Sequence, residues 1–142
     1  LGPGDVVVVP SVTFLATASM ARHTGAEILF ADVDPDSGLM TAETLKVALS
    51  SNMGTKARAV FPVHLAGQCV DPIGIAEIAR DHDLIVVEDA AHAIGTTYTD
   101  QGRTRQVGDC RLSDMAVFSF HPVKTIAMGE GGSITTRNPE MA

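Results

Sequence analysis

Four valines in a row, Val6 to Val9 in "DVVVV", limit the fold more than any other stretch. β-Branched side chains suit the extended chain. Successive side chains of a strand point to opposite faces. A run that is apolar at every position is therefore apolar on both faces. Such a strand belongs in the interior of a sheet covered on both sides.

The pattern returns along the chain, separated by stretches of a different period. "EILFADV", "ARAVFPV", "LIVVED", "MAVFSF" and "GSITT" read as further strands. Residues 13 to 24 are rich in Ala, Met and Leu and end before Gly25, which predicts a helix with a glycine just past its end. Thr41 can cap a second helix, in which Leu45, Ala48 and Leu49 share a face. Asp71 and Pro72 begin a third, with Asp as N-cap and Pro at the first helical position. Its apolar face is Ile75, Ile78 and Ala79. Strands alternating with helices predict an α/β fold: three αβα layers around a mostly parallel, mixed sheet. With 45% hydrophobic residues in 142, one core of ordinary size can form.

Charge and cysteine usage exclude several classes. The net charge of −7 argues against a phosphate-backbone footprint and so against nucleic acid. Cys69 and Cys110, in "GQCVD" and "GDCRL", form no metal-type CxxC and no disulfide framework, so both are expected to be idle thiols. No apolar run approaches the ~18 residues of a membrane span. No basic and apolar leader opens the sequence, so a cytoplasmic location and no membrane partner are expected. The sequence starts at "LGPGD" and stops at "RNPEMA", where a helix is due, which suggests a piece of a longer protein.

In open α/β sheets ligands bind beyond the carboxyl ends of the strands. Asp89 ends the "LIVVED" strand; Ser119, His121 and Lys124 end or follow "MAVFSF". Both groups can meet in one crevice. The usual ligands of such a crevice lack their motifs. No GxGxxG joins the first strand to its helix, and no GxxxxGK[ST] or GxSxG occurs. What remains is an acid after one strand and a lysine after another. A neutral lysine amine forms a Schiff base with a carbonyl cofactor. Pyridoxal 5'-phosphate offers an aldehyde to a lysine and a ring nitrogen to an acid. A carboxylate facing that nitrogen keeps it protonated, and the positive ring accepts the electrons of a breaking C–H bond. That would explain the abrupt end of an apolar strand in "ED".

At this point four segments resemble consecutive motifs of one family: "PSVTFLATASMARHTGAEILFADVDPDSG", "PVHLAGQ", "VVEDAAHAIG" and "VFSFHPVKTIAMGEGGSITT". The family is DegT/DnrJ/EryC1/StrS, the fold-type-I, pyridoxal-phosphate-dependent sugar aminotransferases. The resemblance covers essentially the whole chain, and "SFHPVK" followed by "GEGG" is similar to the PseC/ArnB-like branch. It implies the aspartate aminotransferase-like fold of PLP-dependent transferases, with residues 1–142 forming part of the large catalytic domain. An N-terminal segment, which carries part of the phosphate cup, and a C-terminal small domain would be absent.

The resemblance also implies roles. Lys124 is the Schiff-base and catalytic lysine, and Asp89 the partner of the ring nitrogen. His92 lies near the ring hydroxyl, Ser119 holds the phosphate, and Phe14 stacks on the ring. His121 faces the sugar substrate. Glu88 is expected to satisfy local backbone or solvent, and the glycines of "GEGG" a turn. The implied reaction moves an amino group from an amino acid, glutamate above all, to a nucleotide-linked keto sugar. Carbon C4 of a UDP-4-keto-6-deoxy-hexose is the expected acceptor, and a homodimer the expected assembly. A family dehydratase would carry His in place of Lys124. A non-catalytic cofactor-binding sensor and an inactive truncated fragment are the other readings.

Overall fold

The computed structural model describes residues 1–142. Strand β1 (Val6–Pro10) is followed by helix α1 (Leu15–His23), β2 (Glu27–Ala31), α2 (Ala42–Leu49), β3 (Ala57–Val60), α3 (Pro72–Asp81) and β4 (Ile85–Asp89). A hairpin of β5 (Thr97–Asp100) and β6 (Arg103–Gln106) precedes β7 (Met115–Ser119) and β8 (Gly132–Thr136). The main sheet has the order β2-β1-β3-β4-β7-β8. It is parallel from β2 through β7, and β8 runs antiparallel to β7.

The valine run does what its pattern requires, since every residue of β1 is buried. Val8 packs into a cluster with Leu45 of α2 and Ile75 of α3. Val7 and Val9 pack on the other face, with Ala21 of α1 and Ala26. Each neighbour in the run thus feeds a different layer.

Local chemistry sets the helix ends. Helix α1 stops at Thr24, and Gly25 follows at φ +92°, where its N–H bonds Arg22 O at 3.0 Å. A Cβ on Gly25 would meet Pro3 at 3.0 Å, so side chain and backbone both favour glycine there. Helix α2 opens on a capping box built from two threonines. Thr41 Oγ1 accepts from Thr44 N at 3.2 Å, and Thr44 Oγ1 accepts from Thr41 N at 3.0 Å. At α3, Asp71 Oδ1 accepts from the N–H groups of Ile73 and Gly74, each at 3.1 Å. The expected buried faces, Leu45/Ala48/Leu49 and Ile75/Ile78/Ala79, are the observed ones.

The β5–β6 hairpin is an addition to the expected elements. Its turn residues Gln101 and Gly102 both have positive φ, 48° and 73°, the primed geometry that matches strand twist. Tyr98 of β5 packs against the cluster formed by Ala90, Ala93, Val107, Cys110, Ala116 and Phe118.

The outer layers are unequal. Helices α2 and α3 pack with β1, β3 and β4 through one continuous cluster. The opposite face carries α1 alone, over β1 and β2. Beyond α1, that face shows Ile85 (37% exposed), Val117 (38%) and Ile134 (64%). No helix is long and apolar enough to cross a membrane.

Candidate cofactor site

The turn after β1 sends α1 one way along the sheet, while β3 and β4 lie the other way. Ligands collect at such a divergence. A cleft of about 710 Å³ opens there, past the carboxyl ends of β3, β4 and β7 and beside the start of α1. All six residues singled out from the sequence line it: Phe14, Asp89, His92, Ser119, His121 and Lys124.

The two acids that end β4 part company. Pleating turns adjacent side chains to opposite faces. Asp89 turns toward α1, where its Oδ2 accepts from Thr17 Oγ1 at 2.7 Å. Its Oδ1 accepts from Ala91 N at 3.1 Å. The main chain fixes its position, because Asp89 N donates to Pro62 O at 2.8 Å and His64 N donates to Asp89 O at 3.0 Å. These bonds extend the β3–β4 ladder past the end of β3, so the carboxylate sits on sheet and not on loop.

Glu88 corrects an expectation. It serves neither solvent nor local backbone, since it is 8% exposed and paired with His64, which is 1% exposed. His64 Nε2 lies 3.0 Å from Glu88 Oε2, and the Ser113 hydroxyl donates to Oε1. A charge so placed needs these partners, because an unpaired buried carboxylate is costly. Glu88 also acts on Cys69. Burial first, then the charges of Glu88 and Asp71, push the Cys69 thiol up to about 11. Cys69 and Cys110 are both free, in agreement with the sequence.

Lys124 stands in the loop after β7. Its N–H bonds His121 O at 2.9 Å, and Nζ lies 2.9 Å from His92 Nε2. The loop closes on itself through Phe120 N to Gly131 O (2.8 Å) and Met128 N to Phe120 O (3.0 Å). Gly129 and Gly131 take positive φ there, which is the turn role expected of "GEGG". Ser119 Oγ accepts from His121 N at 3.4 Å. His121 Nε2 faces Glu130 Oε1 across 4.0 Å at the mouth. Phe14, the residue before α1, is 74% exposed and presents its ring to the cleft.

The donor set tests what the cleft could hold. An amine, a hydrogen-bonded carboxylate and an aromatic ring share one volume, which fits an aldehyde-bearing, protonated heteroaromatic ring. Of the two hydroxyls that line the cleft, Thr17 donates to Asp89 and Ser119 is left for a phosphate, so the fit is good at the ring and thin at the phosphate. Thr17 and His64 were not anticipated. Thr17 sits one turn inside a predicted helix, and only the fold brings it to Asp89. His64 stands in the quoted "PVHLAGQ", but nothing in the sequence ties it to Glu88.

Comparison with known proteins identifies the family and the fold. The model of the DegT/DnrJ/EryC1/StrS aminotransferase family matches residues 1–142. The chain is 41% identical to the GDP-perosamine synthase of Caulobacter vibrioides, over all of its own length and 36% of that protein. It is also 41% identical to the spore coat polysaccharide biosynthesis protein SpsC of Bacillus subtilis, over all of its length and 34% of SpsC. The chain thus spans about a third of the length of these relatives. The solved PLP-form of the putative sugar aminotransferase Spr1654 from Streptococcus pneumoniae superposes with a TM-score of 0.81 at 32% identity, over 97% of this chain and 37% of that one. The α/β mixed sheet is accordingly that of a PLP-dependent transferase large domain, in part. The chain belongs to the DegT/DnrJ/EryC1/StrS aminotransferase family, a family of pyridoxal-phosphate-dependent sugar aminotransferases.

Proposed function

We propose that this chain is the cofactor-binding part of a longer sugar aminotransferase, with an N-terminal segment and a C-terminal small domain completing it. The observation that carries the reading is the meeting of Lys124, His92 and Asp89 in one cleft at the strand ends. When bound, pyridoxal phosphate supplies an aldehyde that bonds an amine and a ring that takes up the electrons of a breaking C–H bond.

The chain's own residues do the rest. Lys124 would offer the amine and would also move a proton to and from the substrate carbon as general base and acid. Asp89, with one oxygen held by Thr17 and the other by Ala91 N–H, would hold its carboxylate toward the ring nitrogen. Phe14 would stack on the ring face, Ser119 would donate to the phosphate, and His92 would lie near the ring hydroxyl, beside the lysine amine. His121 meets the sugar at the mouth.

The donor we propose is glutamate and the acceptor a nucleotide-linked keto sugar, aminated at C4. Resemblance to the PseC/ArnB-like branch supports a UDP-linked 4-keto-6-deoxy-hexose. The relative named for a GDP-linked sugar makes GDP the nucleotide to test beside it. A homodimer in the cytoplasm completes the proposal.

The experiment is a half-reaction. The complete protein, loaded with pyridoxal phosphate, is mixed with glutamate and no sugar. A transaminase converts the bound cofactor to its aminated form, with loss of the aldehyde absorption and release of 2-oxoglutarate. An unchanged spectrum with bound cofactor would favour the non-catalytic sensor.

A further inference from the structure

His92 lies between two partners that constrain its proton. The backbone N–H of Ala66 points at Nδ1, 3.3 Å away, and Lys124 Nζ lies 2.9 Å from Nε2. An amide N–H can only donate, so Nδ1 accepts and bears no hydrogen. A neutral imidazole carries one, which then sits on Nε2. Nε2–H is then the group that faces Nζ. Were Nζ the donor, the imidazole proton would shift to Nδ1, and the Ala66 N–H would face another N–H.

The backbone at Ala66 is built for that aim. It sits in the left-handed region at φ 53°, ψ 24°, which alanine adopts seldom. Gly67 follows at φ +82°. Thr96 Oγ1 donates to Gly67 O at 2.9 Å, and a Cβ on Gly67 would lie 3.1 Å from His92 O. The turn is thus pressed onto the segment that carries His92. The same loop repeats the device at its other end. Val70 N donates to Nδ1 of buried His64 at 3.3 Å, which leaves Nε2–H to donate to Glu88. His23 shows the opposite arrangement, with Nδ1 2.7 Å from the Ser19 carbonyl, which requires Nδ1–H.

We infer that Ala66 is a positioning residue: its left-handed N–H fixes His92 as the Nε2–H tautomer, with that N–H turned toward Lys124 Nζ, before any cofactor arrives. The inference deepens the proposed function and rests on it for its consequence, a lysine held ready for an aldehyde. His64, Glu88, Asp89, His121 and Glu130 are the other titratable groups that line the cleft around it.

Long-range ¹⁵N–¹H NMR on the cofactor-free chain, at about pH 8 and so above the usual histidine range, reads each tautomer directly. His92 and His64 are expected as Nε2–H, with His23 as the Nδ1–H contrast. Lys124→Met removes the lysine and leaves the Ala66 contact, so His92 should remain Nε2–H. A His92 that is Nδ1–H in the wild type, or that becomes Nδ1–H in Lys124→Met, overturns the assignment to Ala66. Cofactor attachment at another lysine, with the predicted tautomer intact, would sink the functional reading and leave this inference standing.

Discussion

At the scale of single residues, Asp89 carries the largest consequence. Its Asn variant keeps the shape and removes the charge. Cofactor binding by the complete protein should weaken modestly, while transamination should fall by orders of magnitude, because the stabilisation lost belongs to the transition state. Near-normal turnover in Asp89→Asn would reduce the residue to a strand-end cap. Thr17→Val is a subtler test, since it removes one of the two donors that hold Asp89. A hydrogen bond to a charged group contributes about 1.5–3 kcal/mol. Denaturant unfolding should therefore show a stability loss of about that size, and an unchanged stability would mean that Thr17 does not hold the carboxylate. Cys69 gives a test by pH. Its thiol is pushed up to about 11 by burial and the acids near it. Because the folded value lies above the unfolded one, the neutral thiol's contribution is complete below the ordinary thiol range and is lost as pH rises through about 11. Iodoacetamide labelling of Cys69 should stay slow near pH 9 and keep accelerating to pH 11 in the folded chain, whereas a plateau near pH 9 would contradict this placement.

Elements were legible where one local signal decided them. The valine run, the Asp71-Pro72 start and Gly25 each act within a few residues, so sequence alone places β1, α3 and the end of α1. The capping box of α2 was half visible. Thr41 was readable as a cap, but its partner is Thr44, not the usual Glu or Gln. Thr41→Val should cost about 1 kcal/mol, a typical N-cap loss, read as a lower denaturant midpoint at unchanged slope. An unchanged midpoint would mean the box is redundant. The β5–β6 hairpin was missed for a physical reason. Its strands are four residues each and lie largely exposed, so no buried face imposes an apolar alternation. Its Gln-Gly turn is also not the common Asn-Gly or Asp-Gly pair. The site divides the same way. Residues at strand ends, Asp89 and Ser119, were readable because topology sends strand ends to the cleft. Thr17 and His64 were not, because their partners lie on other elements.

At the scale of the whole molecule, the sheet is unevenly covered. Ile85, Val117 and Ile134 leave an apolar face beyond α1, and Val123, Ile126 and Met128 stand exposed on the Lys124 loop. Large bare apolar patches are rare on monomers. The isolated 142-residue chain should therefore self-associate, most simply as a dimer. With Ser119 the cleft hydroxyl left for a phosphate, cofactor binding should be weak. Light scattering that shows a stable monomer, with tight cofactor binding beside it, would contradict both expectations. The central claim is that Lys124 is the amine that takes the cofactor. Its most direct test is borohydride reduction of the complete protein loaded with pyridoxal phosphate, followed by peptide mapping. The account predicts the fixed label on Lys124, and a label on Lys46 or Lys56 instead would contradict it.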